Sequence, residues 1–350
     1  LEKRTATPAD LALKLSVEPF DSALLSAPGA WEAIVAAALR EGLSGLLASR
    51  IRPYVSGERL KWCDRVIARN WARHTLNFEN LKAVSSLLER ARIPHLALKG
   101  PVLASRHYSA PFLRKPSVDL DLAVRLADLA EACRVLEADG YVAAATVAEA
   151  RALSHHLVLN HASKPRLELH FRLSNGVRGI SIDEFLERGG RHSFSDGFSI
   201  GVLDPADEIL HLALHVVQDR FGTLFHLCET EMVWAAADPG VQDEAVRRGA
   251  AYRFSGALAL ADAAAQSCFG RSMLSSRVPL KGTWLSPLVN ERLFYRMRKA
   301  AMRVSERTVR GRLRGRWLDL QVTDGPREAL KQLTGMICVA HRSILGQHYQ

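Results

Sequence analysis

The feature that most constrains the fold is a change of period at Ile93-Pro94. Upstream, residues 59–92 repeat apolar positions at helical spacing over a long amphipathic stretch, and the proline ends it because it lacks an amide hydrogen and clashes with the preceding turn. Downstream the apolar runs become short. Residues 95–98, 118–124, 141–146, 157–161 and 167–173 read as strands, and 126–139 reads as a helix that stops at Gly140. A glycine-rich loop (Gly176, Gly179, Gly189, Gly190) and one more strand near 200–203 complete this part. Asp204-Pro205 then opens a helical region, proline being favourable in a first turn. The beginning reads helical as well, with an early cap in residues 7–10 and an Ala/Leu-rich stretch at 31–47 broken by glycine. The expectation is an α+β protein: a helical N-terminal region (1–92), an α+β core (93–203) and a helical C-terminal domain (204–350).

Composition removes several classes. At 350 residues, 48% hydrophobic and 24% charged, the chain resembles ordinary globular proteins and is long enough for about two domains whose cores need no covalent staples. The five cysteines are odd in number, scattered and never in a C-x-x-C pair, which speaks against a disulfide framework or a zinc site and for a reducing, cytoplasmic compartment. Its apolar runs, such as 33–39, fall far short of the roughly 18 residues a membrane span requires. No G-x-S-x-G elbow, phosphate-loop motif or G-x-G-x-x-G fingerprint occurs.

Two short segments carry chemistry. In a strand over 118–124, Asp119 and Asp121 point to one face while Val118, Leu120 and Leu122 point to the core. Adjacent carboxylates repel unless a cation lies between them, and hard oxygen donors at this spacing suit Mg²⁺, which commonly shares its shell with substrate phosphates. In Arg166-Leu167-Glu168-Leu169-His170-Phe171 the same alternation puts Glu168 and His170 on one face. If the two strands are neighbours, three carboxylates form an open cage for one or two metals, with His170 beside it.

The ordered set Leu98-Lys99-Gly100, then Arg114 before Asp119-Leu120-Asp121-Leu122, then Leu167-Glu168-Leu169-His170 resembles the nucleotidyltransferase superfamily with the DNA polymerase β-type fold. More narrowly, residues 30–235 are similar to the bacterial family of uncharacterised nucleotidyltransferases, Tyr108 and the run from Leu210 to His215 included. The resemblance implies a mixed β-sheet core and Mg²⁺-dependent transfer of a nucleoside monophosphate from an NTP to an acceptor, with Mn²⁺ as a substitute metal. It implies that Asp119 and Asp121 hold metal against the triphosphate and that Glu168 completes the acceptor-side metal and assists deprotonation. Lys99, Gly100, Arg114, His170, His211 and His215 would contact the nucleotide. Pro101 stands where the superfamily usually has a second Gly or Ser, so Lys99 or Arg114 would supply charge-assisted contacts instead. The competing classes are a regulatory binding protein that kept the fold without the chemistry, a metal-dependent phosphohydrolase and a basic RNA adaptor.

The acceptor is left open as a small molecule, a peptide or protein, or an RNA. The formal charge is +10, and residues 291–316 hold ten bases against two acids. Arg292, Arg296, Lys299, Arg303, Arg307, Arg310 and Arg314 follow one another in steps of three and four, which on a helix would make one basic stripe for an anionic peptide or RNA, or simply a solvated face. His211, His215 and Asp219 are spaced one helical turn apart, as metal or substrate ligands or as half-buried core groups.

Overall fold

In the computed structural model the described residues are 29–173 and 181–270, together with Ala12, Ser16 and Leu25. They divide into two compact units, one of residues 29–173, 181–204 and 223–225, the other of 205–222 and 226–270. The basic stretch 291–316, the cap at 7–10, Gly176 and Gly179 lie outside the described residues.

The first unit opens with helices α1 (Ala30–Arg40) and α2 (Ser44–Ile51), broken at Gly42 as expected. Helix α3 (Gly57–Arg90) follows and is 34 residues long. Its buried side chains step by threes and fours through Cys63, Val66, Asn70, His74, Asn77, Leu81, Val84 and Leu88, a single face. That face changes character along its length. The C-terminal half is apolar and packs on the sheet, whereas the middle is polar and holds a loop. Asn70 Nδ2 donates to Phe112 O at 3.0 Å, His74 Nε2 to Arg114 O at 2.9 Å and Asn77 Nδ2 to Ser117 O at 2.9 Å. These bonds satisfy carbonyls of an irregular segment that has no ladder of its own. Beyond the helix, Arg92 turns left-handed (φ 58°) and Ile93 N bonds back to Leu88 O at 2.9 Å, so the stop read at Ile93-Pro94 is a closed helix end.

Seven strands form one mixed sheet: β1 (His95–Ala97), β2 (Asp119–Val124), β3 (Val142–Ala143), β4 (His156–Asn160), β5 (Arg166–His170), β6 (Gly190–Ser193) and β7 (Ser199–Val202). Their order is β3-β4-β5-β2-β1-β7-β6, with β2 parallel to β5, β1 parallel to β7 and the other neighbours antiparallel. Leu120 and Leu122 of β2, Leu167 and Leu169 of β5, and Leu157 and Leu159 of β4 all bury on one face. Leu81, Val84 and Leu88 of α3, with Leu129, Ala132 and Leu136 of α5 (Leu129–Glu137), cover them. Each fully buried leucine contributes roughly 1.5–3 kcal/mol. The alternating residues of β2 and β5 point to the opposite face, where the polar groups collect.

Three expectations need correction. Val118 is 68% exposed rather than in the core, because pairing in β2 starts at Asp119 and nothing holds the preceding residue to the sheet. Residues 141–146 form only the short β3, because Thr146 and Glu149 make a reciprocal capping box that starts a helix at Val147. The stretch around Gly189 and Gly190 is not loop: a helix, Ile182–Arg188, leads directly into β6, whose antiparallel pairing with β7 outweighs the low strand preference of glycine.

The second unit is helical, as read from Asp204-Pro205. Helix Pro205–Gln218 buries Ile209, Leu210, Leu212, Ala213, Val216 and Val217, and helix Ser255–Phe269 buries Leu258, Leu260, Ala261, Ala264 and Ala265. Among the described residues no helix is long and apolar enough to cross a membrane.

Candidate active site

The strand register explains why the polar groups meet. In the parallel pair β2–β5, Asp119 lies opposite Arg166 and Asp121 opposite Glu168. In the antiparallel pair β4–β5, His156 lies opposite His170. On the other side of β2, the ladder continues one residue past β1, Leu98 N donating to Asp121 O at 3.0 Å, which delivers Lys99 to the same face.

The side chains form a connected charge network. His170 Nε2 donates to Asp121 Oδ1 at 3.0 Å and lies 3.6 Å from Glu168 Oε2. Lys99 Nζ is 3.2 Å from Asp121 Oδ1. Arg166 bridges the two remaining carboxylates, 2.8 Å from Asp119 Oδ2 and 3.0 Å from Glu168 Oε1. His156 Nδ1 approaches Glu168 Oε2 to 3.8 Å. The Asp121 side chain is only 3% exposed and His170 5%, so their interaction is poorly screened by water.

Burial and the hydrogen-bonding partners compete over protonation here. For His170, desolvation is the largest single influence and acts downward, but hydrogen bonds to Asp121 and Glu168 outweigh it and hold the imidazole above its ordinary value. For His156, desolvation and then the neighbouring His170 push the value down. Desolvation alone would raise Glu168, yet the His170 hydrogen bond and the nearby positive charges leave it below the usual carboxylate range. The surroundings thus favour the charged forms of Glu168 and His170 and the neutral form of His156.

Sequence reasoning placed Asp119, Asp121, Glu168, His170 and Lys99 together, and the structure gathers them on one sheet face. The donor atoms that come within 4.8 Å of one another belong to Asp121, Glu168 and His170, while Asp119 joins them through Arg166. Gly100 forms the turn after Lys99, with φ 65° and ψ −128°, a conformation open essentially to glycine alone. Helix α4 (Pro101–His107) starts there, and Tyr108 follows its end. Arg114 is 3% exposed, and its Nη1 donates to Ser117 Oγ at 3.1 Å and Lys115 O at 3.2 Å, shaping the entry to β2. His211 and His215 lie on helix Pro205–Gln218 of the second unit with ring centroids 6.4 Å apart, and Asp219 meets His226 Nδ1 at 3.2 Å.

Two members of the network were missed. Arg166 shares the alternation of Glu168 and His170, and that period of two was a usable signal. His156 gave no such signal, because its place depends on the register of β4 against β5.

The residues suit a divalent cation. Asp121 and Glu168 offer hard oxygen donors from adjacent strands, and Lys99 and Arg166 provide the positive charge such an ion would bring. Arg166 is 44% exposed and has room to swing away. Histidines His155, His156 and His170 make a second cluster, of nitrogen donors only, which suits softer metals.

A mixed sheet with paired acidic residues on its central strands, entered from a Lys-Gly turn, is consistent with a nucleotidyltransferase-type fold. The family model described as uncharacterised nucleotidyltransferase matches residues 27–270, and the chain belongs to that family. Membership supports nucleotidyl transfer as the general activity. No match was found among curated proteins.

Proposed function

We propose that the protein transfers a nucleoside monophosphate from an NTP to an acceptor hydroxyl or phosphate in a Mg²⁺-dependent reaction. The observation that carries this reading is the opposed pair of a buried Asp121 and a half-buried Glu168, set in register and surrounded by Lys99, Arg166 and His170. Asp121 and Glu168, with Asp119, would hold Mg²⁺ or Mn²⁺. The ion would neutralise phosphate charge in an in-line displacement at the α-phosphorus.

The chain's own groups supply the rest. Lys99 and the Gly100 turn receive the phosphates, the ammonium as a point charge and the glycine by allowing close backbone approach. The acceptor oxygen forms a bond to the α-phosphorus as the bond to pyrophosphate breaks, and the acceptor's proton passes to Glu168, which its positive neighbours keep ionised. His170 fixes the orientation of both carboxylates. Catalysis is assigned to residues 93–203 and acceptor choice to the helical regions 1–92 and 204–350, where the acceptor is an anionic peptide, an RNA or a small molecule.

Asp121→Asn tests the reading. It preserves shape and hydrogen bonding but removes the charge. Calorimetric titration of the four common NTPs, with and without Mg²⁺, is expected to give Mg²⁺-dependent binding by wild type that the variant loses. Once an acceptor is found, the turnover number should drop by about 10³-fold, the scale for losing a preorganised electrostatic group. Equal Mg²⁺-dependent binding by both proteins would refute the assignment.

A further inference from the structure

Next to the segment that leads into β2 lies a cleft of about 360 Å³, within the range of small-molecule sites. Its walls carry Arg69, Arg73 and Lys115, with Asn70, Ser44 and Gly42 between them, and no carboxylate lines it. None of the acidic groups of the catalytic face belongs to it.

The charge of the two arginines is not neutralised by any residue that lines the cleft. Arg69 and Arg73 are four residues apart on α3, so their side chains are neighbours, and like charges at that spacing repel. On the same helix Lys61 pairs with Glu58 at 2.7 Å and Lys82 with Asp196 at 2.7 Å. Among the described residues neither Arg69 nor Arg73 has a carboxylate within ion-pair distance. The third cation is placed deliberately by the backbone. Gly42 has φ 73°, and a Cβ there would stand 2.7 Å from Lys115 Cδ, so the lysine stem lies directly over the glycine. Below, Asn70 is 1% exposed and anchored to Phe112 O, which fixes the wall opposite. Convergent cations on a concave surface concentrate field and favour an anion, and two guanidinium forks match the oxygens of a phosphate.

We propose that this cleft binds a phosphate group, and that the phosphate belongs to the acceptor of the transfer reaction. The second half rests on the nucleotidyl-transfer reading. Lys115 precedes Asp119 by four residues, which extended chain spans in at most about 14 Å. The cleft therefore borders the chain that enters β2, and a phosphorylated acceptor anchored there by Arg69 and Arg73 would lie near the start of the strand that carries Asp119 and Asp121. Lys99 and the Gly100 turn are left to the nucleotide.

Calorimetry with inorganic phosphate at low ionic strength, in the presence of chelator, tests the cleft on the full chain. Arg69 and Arg73 are exposed, so the double variant Arg69→Ala/Arg73→Ala is expected to melt as wild type does. It should bind phosphate at least 10-fold more weakly, whereas Asp121→Asn stays within twofold of wild type. Binding of Mg²⁺–NTP by the double variant should also stay within twofold. Unchanged phosphate affinity in the double variant overturns the site. A parallel loss of NTP affinity overturns the acceptor assignment, since the phosphate recognised would then be the nucleotide's own. A wild type that binds phosphate through these arginines but binds no NTP also removes the acceptor assignment, and it separates failure of the transfer reading from failure of the cleft.

Discussion

Single residues in the site are constrained by backbone as much as by charge. Gly100 shows this most clearly. An added Cβ would meet only Ser117 Oγ at 3.7 Å, an ordinary contact, so space does not demand glycine. The φ of 65° with ψ −128° does, because an L side chain in that region strains the backbone by about 1–3 kcal/mol. Gly100→Ala is expected to lower stability by that amount, measured by urea denaturation, or to reshape the turn so that Lys99 leaves Asp121. Under the proposed function the second outcome would show as a raised KM for NTP with Tm little changed. The residues of the acidic sheet face were legible because a period of two in β2 and β5 assigns Asp119, Asp121, Glu168 and His170 to one face without knowledge of the sheet. Arg69 and Arg73 were not. Their meaning comes from Lys115, more than forty positions away, and helix spacing alone cannot tell a ligand-facing pair from a solvated one.

At the scale of elements, a buried charge explains how one helix of the second unit is fastened to another. Asp207, on helix Pro205–Gln218, is fully buried and accepts from Arg248 Nη1 at 2.9 Å, Arg248 belonging to helix Pro239–Ala251. Glu244, one turn before, accepts from Arg247 Nε at 2.7 Å and Arg248 Nε at 2.6 Å. Those hydrogen bonds, the one from Arg247 foremost, hold the Glu244 carboxyl down at about 2. A carboxyl whose folded value is depressed stabilises the fold above its unfolded value, near 4.5, and loses that contribution as pH falls through about 2. The stability difference between wild type and Glu244→Gln should therefore be full at pH 6 and shrink between about pH 4.5 and 2. Salt should reduce it, because Glu244 is near the surface. Arg248→Met is the harsher change. It strips the guanidinium from a buried carboxylate and should cost about 3–5 kcal/mol in chemical denaturation. These pairings could not be read from sequence, since they join helices whose packing partner no local pattern specifies. The strands were readable with β6 as the exception, although β3 is shorter than the stretch read for it. In β6 the sequence Gly-Arg-His-Ser has no apolar alternation, and it is a strand only because β7 lies beside it.

For the whole molecule, most of the net charge is written in one stretch of sequence. Residues 291–316 carry a local excess of eight positive charges out of a total of +10, and they lie beyond the family match, which ends at 270. The nucleotidyltransferase match ends before this stretch, so the family does not account for the excess. It bears on what the chain meets over longer distances, where basic charge raises the encounter rate with polyanions and is screened by salt. Replacing Arg303, Arg307, Arg310 and Arg314 by Gln lowers the formal charge to about +6 and interrupts the three-and-four spacing. If the acceptor is an RNA, binding of single-stranded RNA should fall steeply with salt, and the four replacements should reduce the magnitude of the log–log slope by about 3, each lost phosphate contact removing about 0.7. NTP affinity should not move. Fluorescence anisotropy of a labelled RNA across a salt series reads the slope directly. A slope near zero for wild type would exclude RNA as the acceptor and leave a small phosphorylated molecule, matched to Arg69 and Arg73, as the better candidate.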